Sequence, residues 1–147
     1  MRNNLLFINL LICLFFATNL LANNLEISSS EIKLDKKNSK IILKGNIKAV
    51  DENKNILKAE EAFYFKEQDL LNSNGLTSII TSENYLLESE NVIFDNKNKI
   101  IKSDFPTKIT DPSGNIFTVK MFNYNSIKNV LFSKGEIKLE DINKNLY

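Results

Sequence analysis

In segment after segment of this chain, apolar and polar residues alternate with the period of a β-strand that covers one face. Glu31-Ile32-Lys33-Leu34 puts Ile32 and Leu34 on one side and the charges on the other. Asn91-Val92-Ile93-Phe94 and Met121-Phe122-Asn123-Tyr124 keep that phase, and Glu136-Ile137-Lys138-Leu139 repeats it. Between these segments stand polar clusters such as Asp35-Lys36-Lys37-Asn38, Asp51 to Asn55, Asp95 to Asn98, Asp111-Pro112-Ser113-Gly114-Asn115 and Asp141 to Asn145. Asp and Asn bond their own backbone in turns and tolerate left-handed geometry, so the clusters predict turns. The elements are short strands in an antiparallel meander, and the fold class is all-β. Lys58 to Gln68 has a helix-forming composition, yet its place in the pattern predicts strand.

The pattern also repeats every 30 residues. Gly45, Gly75 and Gly135 hold one slot, which Phe105 fills in the remaining unit. The same register aligns Leu34, Tyr64, Phe94 and Tyr124; Ile32, Ala62, Val92 and Phe122; Ile41, Leu71, Ile101 and Leu131; and Ala49, Ile79, Ile109 and Leu139. A unit repeated without insertion predicts an architecture whose core is built jointly by neighbouring units. The halves 60 residues apart match more closely than adjacent units, as Asp51/Asp111 and Tyr64/Tyr124 illustrate, which predicts two strand pairs per turn of the structure. Pro106 removes a ladder donor and predicts a bulge or an edge.

Residues 1–22 read as a signal peptide: Arg2, then an apolar run from Leu5 to Phe16, then small and polar residues to Ala22. An uncleaved N-terminal anchor is the alternative. Residues 23–147 then form a single domain. The only cysteine, Cys13, falls in the leader, so the remaining part carries no thiol and relies on packing and hydrogen bonds. Without Arg2 the charges balance at 18 lysines against 18 carboxylates, which argues against a nucleic-acid partner.

The chain has no histidine. That removes imidazole acid–base chemistry and, with the missing thiol, the usual zinc ligands. Glu60 and Glu61 are neighbours on a strand and point apart, while Glu88 and Glu90 read as a solvated stripe. The Asp-x-Asn turns lack the ligand spacing of a calcium loop. No phosphate-cradling glycine loop occurs. The expectation is no enzyme, no metal and no cofactor.

What remains is the apolar stripe. Ile32, Leu34, Ala62, Tyr64, Val92, Phe94, Phe122 and Tyr124 line either a closed sandwich core or a groove between two splayed sheets. Periodicity alone leaves both open.

Several segments carry a resemblance. Ser30-Glu31-Ile32-Lys33-Leu34-Asp35, Leu43-Lys44-Gly45-Asn46-Ile47-Lys48, the stretch Asn55 to Tyr64, and Leu131 to Leu139 are similar, in order and period, to the OstA-like (organic solvent tolerance) family. The resemblance covers about residues 25–147, and its motifs are short and degenerate. It implies a gradual β-jellyroll used in lipopolysaccharide transport, as in the periplasmic bridge protein or the N-terminal domain of the outer-membrane translocon. It further implies a periplasmic location and a hydrophobic groove for lipid A acyl chains, lined by the eight residues above with Ile41, Leu71, Ile101 and Leu131. The partners it implies are lipopolysaccharide and other jellyrolls, a second copy of the chain among them, joined through open sheet edges. The rival expectation is a structural or interaction β-solenoid that assembles through its edges without lipid.

Overall fold

The computed structural model describes residues 25–147, and over them every regular element is an antiparallel β-strand. The expected signal segment, residues 1–22, lies outside the described residues, as do 23 and 24. The chain enters through β1 (Glu26–Ser28) and β2 (Glu31–Asp35), then makes three long passes, β3 (Lys40–Val50), β4 (Ile56–Phe65) and β5 (Leu70–Ile80). Each later pass is interrupted midway. They comprise β6 (Leu86–Glu90) with β7 (Ile93–Asp95), β8 (Ile100–Ser103) with β9 (Thr107–Thr110), β10 (Ile116–Val119) with β11 (Phe122–Asn125), and β12 (Val130–Phe132) with β13 (Ile137–Glu140). The segment expected to be strand despite its helix-like composition is β4.

Each pass bends at its middle, and the bends divide one sheet into two arms. The first arm runs β2, the start of β3, the end of β4, the start of β5, then β7, β8, β11 and β12. The second runs β1, the end of β3, the start of β4, the end of β5, then β6, β9, β10 and β13. A 30-residue unit is therefore one hairpin whose strands each serve both arms. Consecutive passes always pair with each other, so the sheet is a plain meander. This corrects the reading of two strand pairs per turn: the unit is one 30-residue hairpin, Tyr64, Phe94 and Tyr124 all stand on its return pass, and the two tyrosines match because each donates its hydroxyl to the left-handed residue of the turn that follows.

The bends alternate between two solutions. In β3 and β5 the inward positions keep their phase across Gly45 and Gly75, which take φ of 70° and 79°, a region that glycine enters without a Cβ penalty. In the return passes an extra residue slips the phase, so that inward positions step from Ala59 to Ala62, Ser89 to Val92 and Val119 to Phe122. The pass with Phe105 lacks glycine. There Ser103 Oγ accepts the Phe105 N–H at 3.1 Å, and Pro106 sits in the gap between β8 and β9 where no ladder donor is required.

The backbone groups released at the bends are taken up by small hydroxyls. Ser73 Oγ accepts from Val92 N at 2.8 Å and from Thr77 Oγ1 at 2.7 Å, Thr107 Oγ1 donates to Ser89 Oγ at 2.9 Å, and Ser133 Oγ donates to Met121 O at 2.8 Å. These residues form a polar spine along the fold line, and such pairing is what makes burying them tolerable.

The inner faces of both arms share one apolar cluster. Leu57, Leu71, Ile79, Leu87 and Ile101 are wholly buried in it beside Phe94 and Phe122, each contributing about 2 kcal/mol by leaving water. At the free ends of the arms the turns have two grammars. On the second arm, Asp51, Asp111 and Asp141 each accept the N–H of Asn55, Asn115 and Asn145 and bond that residue's side-chain amide at 2.8 Å. These carboxylates act as the turn formers their spacing predicts. On the first arm, four-residue turns end in a left-handed residue: Ser39, Asp69, Lys99 and Asn129.

Candidate apolar groove and its mouth

Register places the sequence-predicted residues with unusual order. Leu34, Ile41, Tyr64, Leu71, Phe94, Ile101, Tyr124 and Leu131 stand directly opposite one another from strand to strand, in a single row across the first arm. Ile32, Ala62, Val92 and Phe122 form the parallel row nearer the bend, interleaved with Leu43, Ser73 and Ser103. All twelve expected groove residues thus lie on the inner face of one arm.

The opposite wall was missing from the sequence-based set. Ile27, Ala49, Leu57, Ile79, Leu87, Ile109, Phe117 and Leu139 form an equally continuous row across the second arm. Its signal was visible as the 30-residue series through Ala49 and Ile79. Only the bend, however, turns that series to face the first. The spine had a signal too, in Ser73, Ser103 and Ser133 at the same interval.

Over most of their length the two walls are in contact, and Ala62, Tyr64, Leu71, Val92, Phe94, Ile101, Phe122 and Tyr124 are buried. The ends differ. Ile32 and Leu34 keep 63% and 61% of their surface exposed at the N-terminal end of the first arm, and Ile137 keeps 53% at the C-terminal end of the second. Ile41 and Leu131 are half-buried.

The cause is a stagger between the arms. Across the mouth opposite the bend, Lys99 of the 96–99 turn pairs with Glu52 of the 51–55 turn at 2.7 Å. Asn53 Nδ2 reaches Ser126 Oγ at 3.4 Å, and the Tyr124 hydroxyl meets the Ser82 side chain. The 96–99 and 126–129 turns therefore face second-arm turns lying well before them in sequence. Among the described residues, β2 at one end and β13 at the other are left without a facing strand. At the C-terminal end the walls part around a cavity of about 300 Å³ between Tyr124 and Leu131 on one side and Ile109, Phe117 and Ile137 on the other, with Glu83 at its rim.

Two tyrosines tie the first wall to its turns. Tyr64 donates to Asp69 Oδ1 at 2.8 Å and Tyr124 to Asn129 Oδ1 at 2.9 Å. Burial first, then the bond to Asp69 and its charge, push the Tyr64 hydroxyl far above its ordinary range. Burial raises Tyr124 as well, aided by the carboxylates of Glu83 and Asp51 and opposed by the bond to Ser82. Among the described residues no three metal-ligating side chains converge. The pairs considered for acid–base work are otherwise engaged: Glu61 holds Lys44 at 3.1 Å and accepts from Asn74 at 2.9 Å, and Glu88 holds Lys108 at 3.4 Å on the outer face. The two facing rows thus enclose an apolar interior, with the charged side chains on the outer face and at the mouth.

Comparisons with known proteins fit this geometry at the level of the fold. No protein-family profile matches the chain, and no curated protein matches it by sequence. Among solved structures, the chain is similar to LptH of Pseudomonas aeruginosa, described as the LptA-homologous periplasmic component of the conserved lipopolysaccharide transport device. The TM-score is 0.63 over 80% of this chain and 94% of that one, at 10% sequence identity. The expected all-β jellyroll is thus observed, and the likeness extends over nearly all of the solved chain.

Proposed function

We propose, taking that shared fold as the premise, that this chain is a periplasmic lipopolysaccharide-binding member of a transport bridge, along which lipid moves between two apolar walls. The observation that carries the reading is the unbroken row from Leu34 to Leu131, which crosses the whole sheet, is uncovered at Leu34 and borders the cavity at Leu131. A wall of this kind receives acyl chains through burial of apolar area without residue-specific chemistry. The expected groove residues of the first arm and the facing row from Ile27 to Leu139 would line it together. Residues 1–22 would direct the chain to the periplasm, leaving 23–147 as the working domain.

The stagger supports the partner side of the reading. The N-terminal end of the first arm exposes Ile32 and Leu34, and the C-terminal end of the second exposes Ile137, so both ends offer apolar side chains to a neighbour. A jellyroll added end to end, a second copy included, would cover both and continue the sheet through main-chain hydrogen bonds along the β2 and β12 edges.

A photo-crosslinker placed at Tyr124, beside the cavity, or at Phe94 in the closed middle tests the assignment in the presence of lipopolysaccharide. Crosslinking to lipid is expected at both. If neither position crosslinks while the folded protein still self-associates, the second reading takes over, a structural β-domain assembling through its edges. The close packing of Phe94 against the facing wall is the observation in that reading's favour.

A further inference from the structure

The geometry points to a latch across the mouth: the Glu52–Lys99 ion pair holds the two arms shut, and apolar cargo loads sideways once it opens. The inference rests on the lipid-binding reading above and adds how the interior is reached. Two sides of the molecule differ in kind. Along the fold line the arms are joined covalently by every strand that crosses a bend, and the spine hydroxyls secure the backbone there. At the mouth the chain does not cross between the arms, and side-chain contacts carry the closure: Lys99 with Glu52, Asn53 with Ser126, and Tyr124 with Ser82, together with a backbone donor, Leu25 N, at 3.5 Å from Asp69 Oδ1. Opening is thus a rotation about the spine that breaks a few polar links and parts the apolar contact between the walls, while no strand ladder is broken.

The rims are also charged in opposite senses. The first-arm turns with the aspartates that brace them (35–39, 66–69, 95–99 and 126–129) carry six lysines against four carboxylates. The second-arm turns (51–55, 81–85, 111–115 and 141–145) carry five carboxylates against two lysines. Attraction between the rims favours closure and weakens with salt. Lys99 is where this attraction becomes a contact. Its side chain is only 13% exposed, Glu52 lies 2.7 Å away, and Asn96 Oδ1 takes a second ammonium proton at 3.1 Å. At the same repeat position, Asp69 and Asn129 instead accept from the tyrosines of their own arm. The Phe94 unit has no hydroxyl to bond, and its left-handed residue, Lys99, reaches over the mouth.

The test follows uptake of the neutral apolar fluorophore N-phenylnaphthylamine by the folded protein, with saturating amplitude and rate read separately. Glu52→Gln is expected to reach the wild-type amplitude about fivefold faster at low salt, and the gap is expected to close in high salt. The charge reversal Glu52→Lys with Lys99→Glu is expected to restore the slow wild-type rate. Lys108→Gln, which breaks an ion pair on the outer face, is expected to leave the rate unchanged and so separates latch release from general loosening. Equal amplitude with wild-type rate in Glu52→Gln, or an equal acceleration in Lys108→Gln, overturns the latch while leaving the groove standing. An absence of amplitude in all variants removes the apolar groove itself and the latch with it.

Discussion

The Tyr64 hydroxyl donates to Asp69 Oδ1 at 2.8 Å, from the end of a buried wall to the left-handed last residue of the turn that follows it. Asp69 also accepts from the side-chain amide of the buried Asn96, in the next turn along the arm. One carboxylate thus joins two successive turns to the wall between them, and a phenol that must stay protonated is part of the joint.

Alkaline pH should loosen that joint. The folded state holds the Tyr64 proton more tightly than the unfolded chain, whose tyrosine titrates near 10. Between the unfolded and folded values the unfolded state binds fewer protons, so stability falls as pH rises. The contribution is complete below about 10 and is lost above it. Denaturant melts at stepped alkaline pH should show the decline, and Tyr64→Phe should reduce its slope. Tyr64→Phe should also cost about 1 kcal/mol at neutral pH through the lost hydrogen bond. An unchanged slope in Tyr64→Phe would assign the alkaline loss elsewhere.

Ser73→Ala addresses the fold line. The substitution leaves Val92 N without its hydroxyl acceptor in a buried bend, at a cost of about 1–3 kcal/mol. Ser78→Ala, on the outer face of the same strand, should cost less than about 0.5 kcal/mol. Equal thermal shifts for the two would contradict a special role for the spine.

The uncovered ends predict a separation of stability from assembly. Ile32→Asp and Ile137→Asp alter side chains that are mostly exposed in the single molecule, so each should lower the free energy of unfolding by under about 1 kcal/mol. Either should weaken self-association by tenfold or more, roughly the effect of burying an unpaired carboxylate in an apolar contact. Sedimentation at graded concentration reads the difference, and unaltered association in both variants would argue against end-to-end joining.

Lys54 takes φ of 68° in the 51–55 turn, at a position that Gly114 occupies in the 111–115 turn. Lys54→Gly removes a Cβ from left-handed geometry and adds freedom to the unfolded chain. The two effects oppose each other, and the first is the larger, so a gain of about 0.5 kcal/mol is expected in chemical denaturation. A loss would mean that the lysine stem packs usefully on the turn.

Much of this architecture was legible in the chain because strand periodicity and a repeat both leave marks on a linear sequence. Ile32 with Leu34 and Phe122 with Tyr124 do share one wall, and Asp111 with Asn115 does close a turn. The facing wall was not legible, since Leu57 and Leu87 are assigned an inner or an outer face only once the bend is known. Nor did alternation reveal the phase slip between Ala59 and Ala62, which a simple reading takes for an irregular strand. The exposure of Leu34, in perfect register with buried Tyr64 one strand beyond Ile41, arises from the stagger of the arms. That is a property of rigid-body placement, and no local pattern encodes it.

The slip at the bends sets what kind of change in length this chain tolerates. Deleting one residue near Lys44, in a pass that has no such extra residue, would send Ile47 and Ala49 outward and bring Asn46 and Lys48 into the interior, because side chains alternate with period two. Inserting a whole hairpin of about 30 residues would preserve every phase and simply lengthen both walls. Such a protein grows in fixed increments, like a ruler extended by whole divisions, and the distance it spans is adjustable only in steps of two strands.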